Sequence, residues 1–402
     1  MAGADVAARD AAPASGASRV AAVGVSIQAP CGVRDHATLL AQGLQDAGVS
    51  CSLHWLQRDA SSLRAATSQH RAWLAALSAE LDRERPEAVL LHYSVFALSH
   101  RGLPLLVRPT VTALRELGAP LIVVGHELAF PWRRAGWRGG MWALSQRAAL
   151  FGLVRAAAGV IVTADFRLRW LRSRRWLPRR PLALAPVFSN LPPPAPGAAR
   201  AQQADTVGVF GYRYDAGALA LVLDALVLLR ERVPALRLRL LGAPGPRSAS
   251  GQAWLAAARM RGIEPALAFS GPLPAQELSD ALAACAVLLF ADAPGPASRK
   301  GTLAGSLASG RPLVAVDGHR RWDELVQGGA VHLVGADAHA LADALGELLG
   351  DERAREQLGA RGRAFAEQSM GLARTVAAVR GLLGEKALDW AQTLTAHGGT
   401  SG

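Results

Sequence analysis

The chain is short of cysteine, short of acid relative to base, and without a long uninterrupted apolar run, and each shortage closes off a class of protein. Cys31, Cys51 and Cys285 are the three cysteines in 402 residues. They form neither an even disulfide framework nor a metal-ligand spacing, so reduced thiols in a cytosolic setting are expected, with no structural zinc. No carboxylate cluster has the pattern that suits Mg²⁺. A membrane-spanning helix needs about 20 consecutive apolar residues, and Arg147 and Arg155 interrupt the best candidate. Residues 1–18 are alanine-rich, carry Asp5, Arg9 and Asp10, and lack the apolar core of a signal peptide. They read as a disordered leader. The expectation is a soluble or peripheral protein.

What is present points to a large globular body. Half of the residues are hydrophobic, enough to bury two cores at roughly 100–200 residues per domain. The formal charge of +12, from 44 Lys and Arg against 32 acids, implies attraction to phosphate, a lipid surface or nucleic acid. Apolar runs at 20–27, 51–56, 88–92, 120–125 and 159–163 alternate with helical periodicities at 37–47, 63–81 and 107–117. After the proline-rich stretch 192–197 the alternation restarts, with strands at 207–210, 236–241, 268–271, 286–290 and 312–316 and helices at 218–232 and 276–284. This pattern predicts an α/β protein of two Rossmann-like, doubly wound domains facing a central cleft. The domain plan is a first domain over 19–195, a linker at 196–205, a second domain over 206–364, a closing helix at 365–386 and a tail at 387–402 that is loose from His397 onward.

The densest chemistry lies in Ser298-Arg299-Lys300-Gly301-Thr302, which precedes a run of small residues and the strand at 312–316. Two cations, a hydroxyl and the amides of a starting helix make an anion socket that fits a diphosphate. In open α/β sheets ligands collect at the carboxyl ends of strands. Gly32, His92, His126 and Arg299 all follow or end such runs.

These segments together resemble the family 4 type of GT-B glycosyltransferases (glycosyl transferases group 1). The likeness is carried by Phe269-Ser270-Gly271-Pro272-Leu273, by the run 282–289, by 298–316, by Cys31-Gly32-Val33 before a helix, by Gly125-His126-Glu127, and by Phe188-Ser189-Asn190-Leu191-Pro192. The resemblance implies a nucleotide-sugar donor in the second domain and an acceptor on the first, with no cofactor and no metal. By that likeness His126 is the catalytic candidate beside the donor sugar. Gly32, Arg213, Ser298, Arg299, Lys300, Gly301 and Thr302 are the donor-binding candidates, and Asp35, His36 and His92 the acceptor-side ones. The family's pair of glutamates is missing, its positions being held by Ala297 and Gly305, and only Arg213 remains of its Arg and Lys after the first strand of the second domain. Arg299 and Lys300 are expected to supply the missing charge.

Plainer roles stay open for each residue. Arg299 and Lys300 can be solvated loop charges, His126 and His92 can satisfy buried carbonyls, Gly32 can serve a tight turn, and Arg213 can be a surface residue. Between 132 and 180 tryptophans alternate with arginines, as in Trp137-Arg138 and Arg169-Trp170. Such a mixture suits an anionic membrane surface or a solvated basic helix with its indoles inward; without a recognisable module, nucleic acid is not expected. The expected function is transfer of a sugar from a nucleoside-diphosphate sugar to a glycan or lipid-linked acceptor, with retention and without metal, in the cytoplasm at the inner membrane face. A non-catalytic GT-B scaffold and a nucleotide-sugar epimerase are the rivals.

Overall fold

The computed structural model describes residues 18–27, 31–59, 62–132, 136–198 and 203–397. Nearly all of the expected leader lies outside the described residues. The chain divides into two compact units, the first holding residues up to Val123 with Glu127–Ala158 and the residues from Glu385, the second holding Val124–His126 and Gly159–Gly384.

In the first unit, β1 (Arg19–Ser26), α1 (Gly32–Asp46), β2 (Ser50–Gln57), α2 (Leu63–Glu84), β3 (Ala88–Ser94), α3 (Val107–Glu116), β4 (Leu121–Glu127) and α4 (Gly136–Ala156) alternate along the chain. The first sheet is completed by elements that the contact division assigns to the second unit, β5 (Gly159–Val162) and β6 (Leu182–Leu184), with α5 (Asp165–Arg172) between them. The sheet order is β2-β1-β3-β4-β5-β6. All seven residues of β3 are buried, as a central parallel strand covered on both faces requires. That explains a continuous apolar run in place of alternation.

The second sheet is built from β7 (Gln203–Phe210), α6 (Ala216–Arg232), β8 (Arg237–Leu241), α7 (Ala249–Met260), β9 (Leu267–Gly271), α8 (Ala275–Ala283), β10 (Cys285–Phe290), α9 (Gly301–Ala308), β11 (Leu313–Val316), α10 (Asp323–Gln327) and β12 (His332–Val334). Three helices close the chain: α11 (Ala338–Gly350), α12 (Glu352–Ser369) and α13 (Leu372–His397). The order β12-β11-β10-β7-β8-β9 reverses between β10 and β7. At such a reversal the loops leaving two neighbouring strands diverge to opposite faces and open a crevice. The loops after β7 and β10 therefore border the natural binding position of this unit. Its core packs Val207, Val209, Leu238, Leu240, Val287 and Leu289 of the sheet against Leu223, Leu226 and Trp254 of the helices.

The units part at Ala158–Gly159, upstream of the segment 196–205 that composition singles out. Hydrogen bonds of Ser298 with Thr163, Asp165 and Val187 tie the stretch after Gly159 to the second unit, and others hold the polyproline stretch there too. Ser279 Oγ donates to Pro192 O at 2.7 Å, and Ala195 N donates to Asp280 Oδ1 at 2.7 Å, so the polyproline stretch is fastened to α8. A stiff apolar segment reads as a spacer in the sequence but here serves as a strap. The helix expected at 365–386 is in fact two, since α12 ends at Ser369 and α13 begins at Leu372 and continues to His397, while nearly all of the segment expected to be loose lies outside the described residues.

Candidate active site

Two loops of the second unit border the crevice between β7 and β10. The first leaves β7 through Gly211, whose φ of +71° belongs to the left-handed region. A Cβ at that position would lie 2.6 Å from Thr302 Cγ2. Only glycine allows the loop to pass directly against the first turn of α9. Arg213 then stands exposed between two anchored tyrosines. The Tyr212 hydroxyl accepts from Gly245 N at 2.7 Å, while the Tyr214 hydroxyl accepts from Ala291 N at 3.0 Å. The second bond ties the loop after β7 to the loop after β10.

That second loop runs from Ala291 to Lys300 and is clamped along its length. Pro294 O accepts from Arg320 N, Pro296 O from Trp322 N, and Ser298 O from Val187 N, at 2.8 to 2.9 Å. Ser298 has no exposed surface; its hydroxyl donates to Thr163 O and accepts from Asp165 N, both at 3.2 Å. The sequence puts Ser298 among the donor ligands, whereas its side chain is spent on fixing the loop. The tie spends the hydroxyl's one proton and leaves nothing to donate to a phosphate.

Arg299 and Lys300 follow at the N-terminus of α9. Lys300 is the N-cap residue and gives the helix no side-chain cap bond, so the first-turn amides from Gly301 and Thr302 onward have no side-chain acceptor. The helix dipole adds partial positive charge at the same end. Arg299 is half-buried, and its Nε is sealed from solvent without a hydrogen-bond partner. A shielded guanidinium donor left unsatisfied costs about 1–3 kcal/mol, a cost that an incoming anion would cancel. Lys300 Nζ lies 2.8 Å from Asp292 Oδ2. Asp292 was not among the sequence candidates, although it follows directly on the apolar run at the carboxyl end of β10.

The missing glutamates have a packing explanation. Ala297 is 2% exposed. A Cβ on Gly305 would meet Phe210 Cε1 at 2.9 Å and Leu191 Cδ1 at 3.3 Å. The space a longer side chain would need is taken by the ring at the end of β7 and by the strap.

In the first unit, Gly32 opens α1 and an added Cβ there would meet nothing within 4 Å, so no close approach demands glycine at that point. Asp35 is exposed in the first turn of α1, where its charge complements the helix dipole. His36 on α1 and His92 on β3 are 5% and 2% exposed, with ring centroids 5.8 Å apart. Burial drives His36 down to about 4; burial and then the neighbouring His36 drive His92 to about 3. At neutral pH both rings are uncharged hydrogen-bonding groups. His126, the penultimate residue of β4 and assigned by the contact division to the second unit, is 9% exposed.

A further buried ring, His70, falls to about 4 through burial and the nearby Arg58. These three depressed values make acid sensitivity a direct expectation. Below an unfolded value of about 6.5 the unfolded chain takes up protons that the folded rings refuse, so stability falls with pH until the folded values are passed. Urea denaturation followed on the first unit should lose on the order of 1 kcal/mol per pH unit per histidine between about pH 6 and 4.5. A flat profile over that range would show that these rings are not neutral in the folded state.

Residues 204–351 match the family of glycosyl transferases group 1. No curated protein sequence matches the chain at a significant level. Among solved structures it is similar to a sucrose-phosphate synthase from Thermosynechococcus elongatus, with TM-score 0.64, 15% identity, and coverage of 94% of this chain and 100% of that one. It is similar to HepE from Anabaena, solved with UDP, with TM-score 0.65, 14% identity, and coverage of 91% and 100%. A putative UDP-N-acetylglucosamine 2-epimerase from Listeria monocytogenes also shares the fold, with TM-score 0.57, 11% identity, and coverage of 92% and 98%. The fold alone thus leaves transfer and epimerisation unseparated, and the family match over the second sheet decides between them. The chain has the GT-B fold, with a group 1 glycosyl transferase domain over 204–351, and is a glycosyltransferase.

Proposed function

We propose that the enzyme transfers a sugar from a nucleoside-diphosphate sugar, held by Arg213, Arg299, Lys300 and the first-turn amides of α9, to a lipid-linked or polysaccharide acceptor. The observation that carries the donor assignment is the shielded, unpartnered Nε of Arg299 beside an uncapped helix start. It lies at the strand-order reversal where such a ligand belongs. HepE, a neighbour in fold, was solved with UDP, which favours the same ligand class here.

In the reaction the bond between the anomeric carbon and the diphosphate oxygen breaks, its electron pair leaving with the diphosphate, while the acceptor oxygen bonds to the anomeric carbon. With retention of configuration a phosphate oxygen takes the acceptor's proton, so no dedicated protein base is required. Negative charge grows on the leaving diphosphate, and fixed cations and amides aimed there lower the barrier because their geometry is prepaid by the clamped loop. Three cations and a helix end can balance this charge without a metal ion. His126 is assigned to the donor-sugar side, on the likeness of Gly125-His126-Glu127 to the family's motif. Gly32, Asp35, His36 and His92 are assigned to the acceptor side on the same ground.

The lipid-linked class of acceptor is favoured by α4, which exposes Trp137, Met141, Leu144 and Phe151 and bears arginines but no acid. Incubation with a panel of nucleotide sugars tests the whole reading. Thermal stabilisation by one nucleoside diphosphate and its sugar conjugate is expected, about 2.7 kcal/mol at a hundredfold excess over Kd. Conversion of the sugar to its epimer in the absence of acceptor would instead identify an epimerase.

A further inference from the structure

Asp292 stands where a carboxylate is hardest to justify. Its Oδ2 lies 2.8 Å from Lys300 Nζ, so it draws on the cation that the diphosphate needs. A carboxylate beside a phosphate site also repels the phosphate directly, by roughly 1 to 4 kcal/mol for unit charges 4 Å apart at dielectric constants between those of water and a protein surface. Arginine dominates the basic residues of this chain, and Lys300 and Lys386 are its only lysines. A compact ammonium on a flexible stem can swing from one partner to another, as a planar guanidinium fork cannot do so freely.

The carboxylate is only partly used. Its side chain is 16% exposed, and Oδ2 is sealed from solvent with no well-directed hydrogen bond. An ionised carboxylate offers about four acceptor positions and no donor, so its unused capacity calls for a ligand that brings hydrogen-bond donors. In a nucleotide sugar the groups one bond beyond the diphosphate are sugar hydroxyls. The residue is also held in place. Ala291 N donates to the Tyr214 hydroxyl, Gly295 N donates to Asp292 O at 2.7 Å, and the next carbonyls along, of Pro294 and Pro296, are bonded to the 320–322 segment.

We propose that Asp292 is the residue that reads the transferred sugar, accepting hydrogen bonds from its hydroxyls once Lys300 has turned to the diphosphate. Before a donor binds, the Lys300 pair keeps the shielded carboxylate compensated. When the donor binds, Lys300 exchanges one anion for another and Asp292 exchanges the ammonium for hydroxyls, so neither group is stranded. The pair makes binding of the nucleoside diphosphate alone less favourable than binding of the intact donor, which would let the spent carrier leave. This inference rests on the donor-site reading above.

The test compares wild type, Asp292→Asn, Asp292→Glu and Lys300→Ala by calorimetric titration with UDP, GDP, UDP-glucose, UDP-N-acetylglucosamine and GDP-mannose. In wild type the matching sugar conjugate is expected to bind more tightly than its nucleoside diphosphate. Asp292→Asn should bind the bare diphosphate three- to tenfold more tightly, because a negative charge has gone, and should lose at least tenfold of the preference for the conjugate. Asp292→Glu should restore part of that preference, and Lys300→Ala should weaken both ligands together. If Asp292→Asn keeps the wild-type preference, or weakens both ligands equally, the sugar-reading role is overturned while the donor site stands. If wild type binds none of the five, the donor-site reading falls and this inference with it.

Discussion

Replacing Arg299 and Lys300 together by alanine is expected to abolish the thermal response to nucleoside diphosphates while leaving the melting temperature of the unliganded protein nearly unchanged. A hydrogen bond to a charged group contributes about 1.5–3 kcal/mol. Losing two of them weakens a diphosphate by roughly a hundredfold to ten-thousandfold, more than the about 2.7 kcal/mol of stabilisation at a hundredfold excess can survive. The fold should tolerate the change, because Arg299 Nε has no partner to lose and truncating Lys300 opens the Asp292 side chain, already 16% exposed, to water in place of the ammonium. The single replacements should fall between the two limits. A double variant that still responds to the diphosphate as wild type does would move the donor site elsewhere.

The placement of that site shows which levels of structure the sequence makes legible. Central strands such as β3 and β10 are buried along their whole length and so read as unbroken apolar runs. Both sheets were therefore visible, as were the cations at the start of α9. Roles set by distant hydrogen bonds were hidden. Ser298 sits within a phosphate-like motif, yet its hydroxyl serves Thr163 and Asp165, more than a hundred residues away in the chain. Nothing in the sequence marks Asp292, because the sequence cannot show that Lys300 turns back to it. The polyproline strap is a similar case: its composition reports stiffness, whereas only the structure shows its bonds to α8.

The stretch between 132 and 180 proved to be two different things. Residues Gly136–Ala156 form one helix, α4, with Trp137, Met141, Leu144, Ala148, Phe151 and Arg155 exposed. Their spacing of four, three, four, three and four places them in one stripe of a helix. Trp170 and Trp176, by contrast, pack against each other, with ring centroids 6.2 Å apart. Arg147 stacks 4.3 Å over the Trp132 ring and donates to Phe130 O and Ala143 O, which fixes a cation beside the stripe. Two large side chains that are 75% and 64% exposed, Trp137 and Leu144, gain nothing by facing water. Each would contribute about 1.5–3 kcal/mol on entering an apolar phase, and each arginine near an anionic surface about 1 kcal/mol.

Co-sedimentation with vesicles of mixed zwitterionic and anionic lipid should therefore retain the wild-type enzyme and lose the Trp137→Asp/Leu144→Asp variant, with at least about a hundredfold drop in partitioning. Raising the salt should weaken wild-type binding without eliminating it, since screening removes the arginine contribution and leaves the apolar one. Because both residues are exposed, the variant should keep its melting temperature and its response to the nucleotide, so that a loss of transfer confined to lipid-embedded acceptors would follow from failure to reach the surface. Equal partitioning of variant and wild type would remove the membrane from this reading and leave a water-soluble polysaccharide as the acceptor.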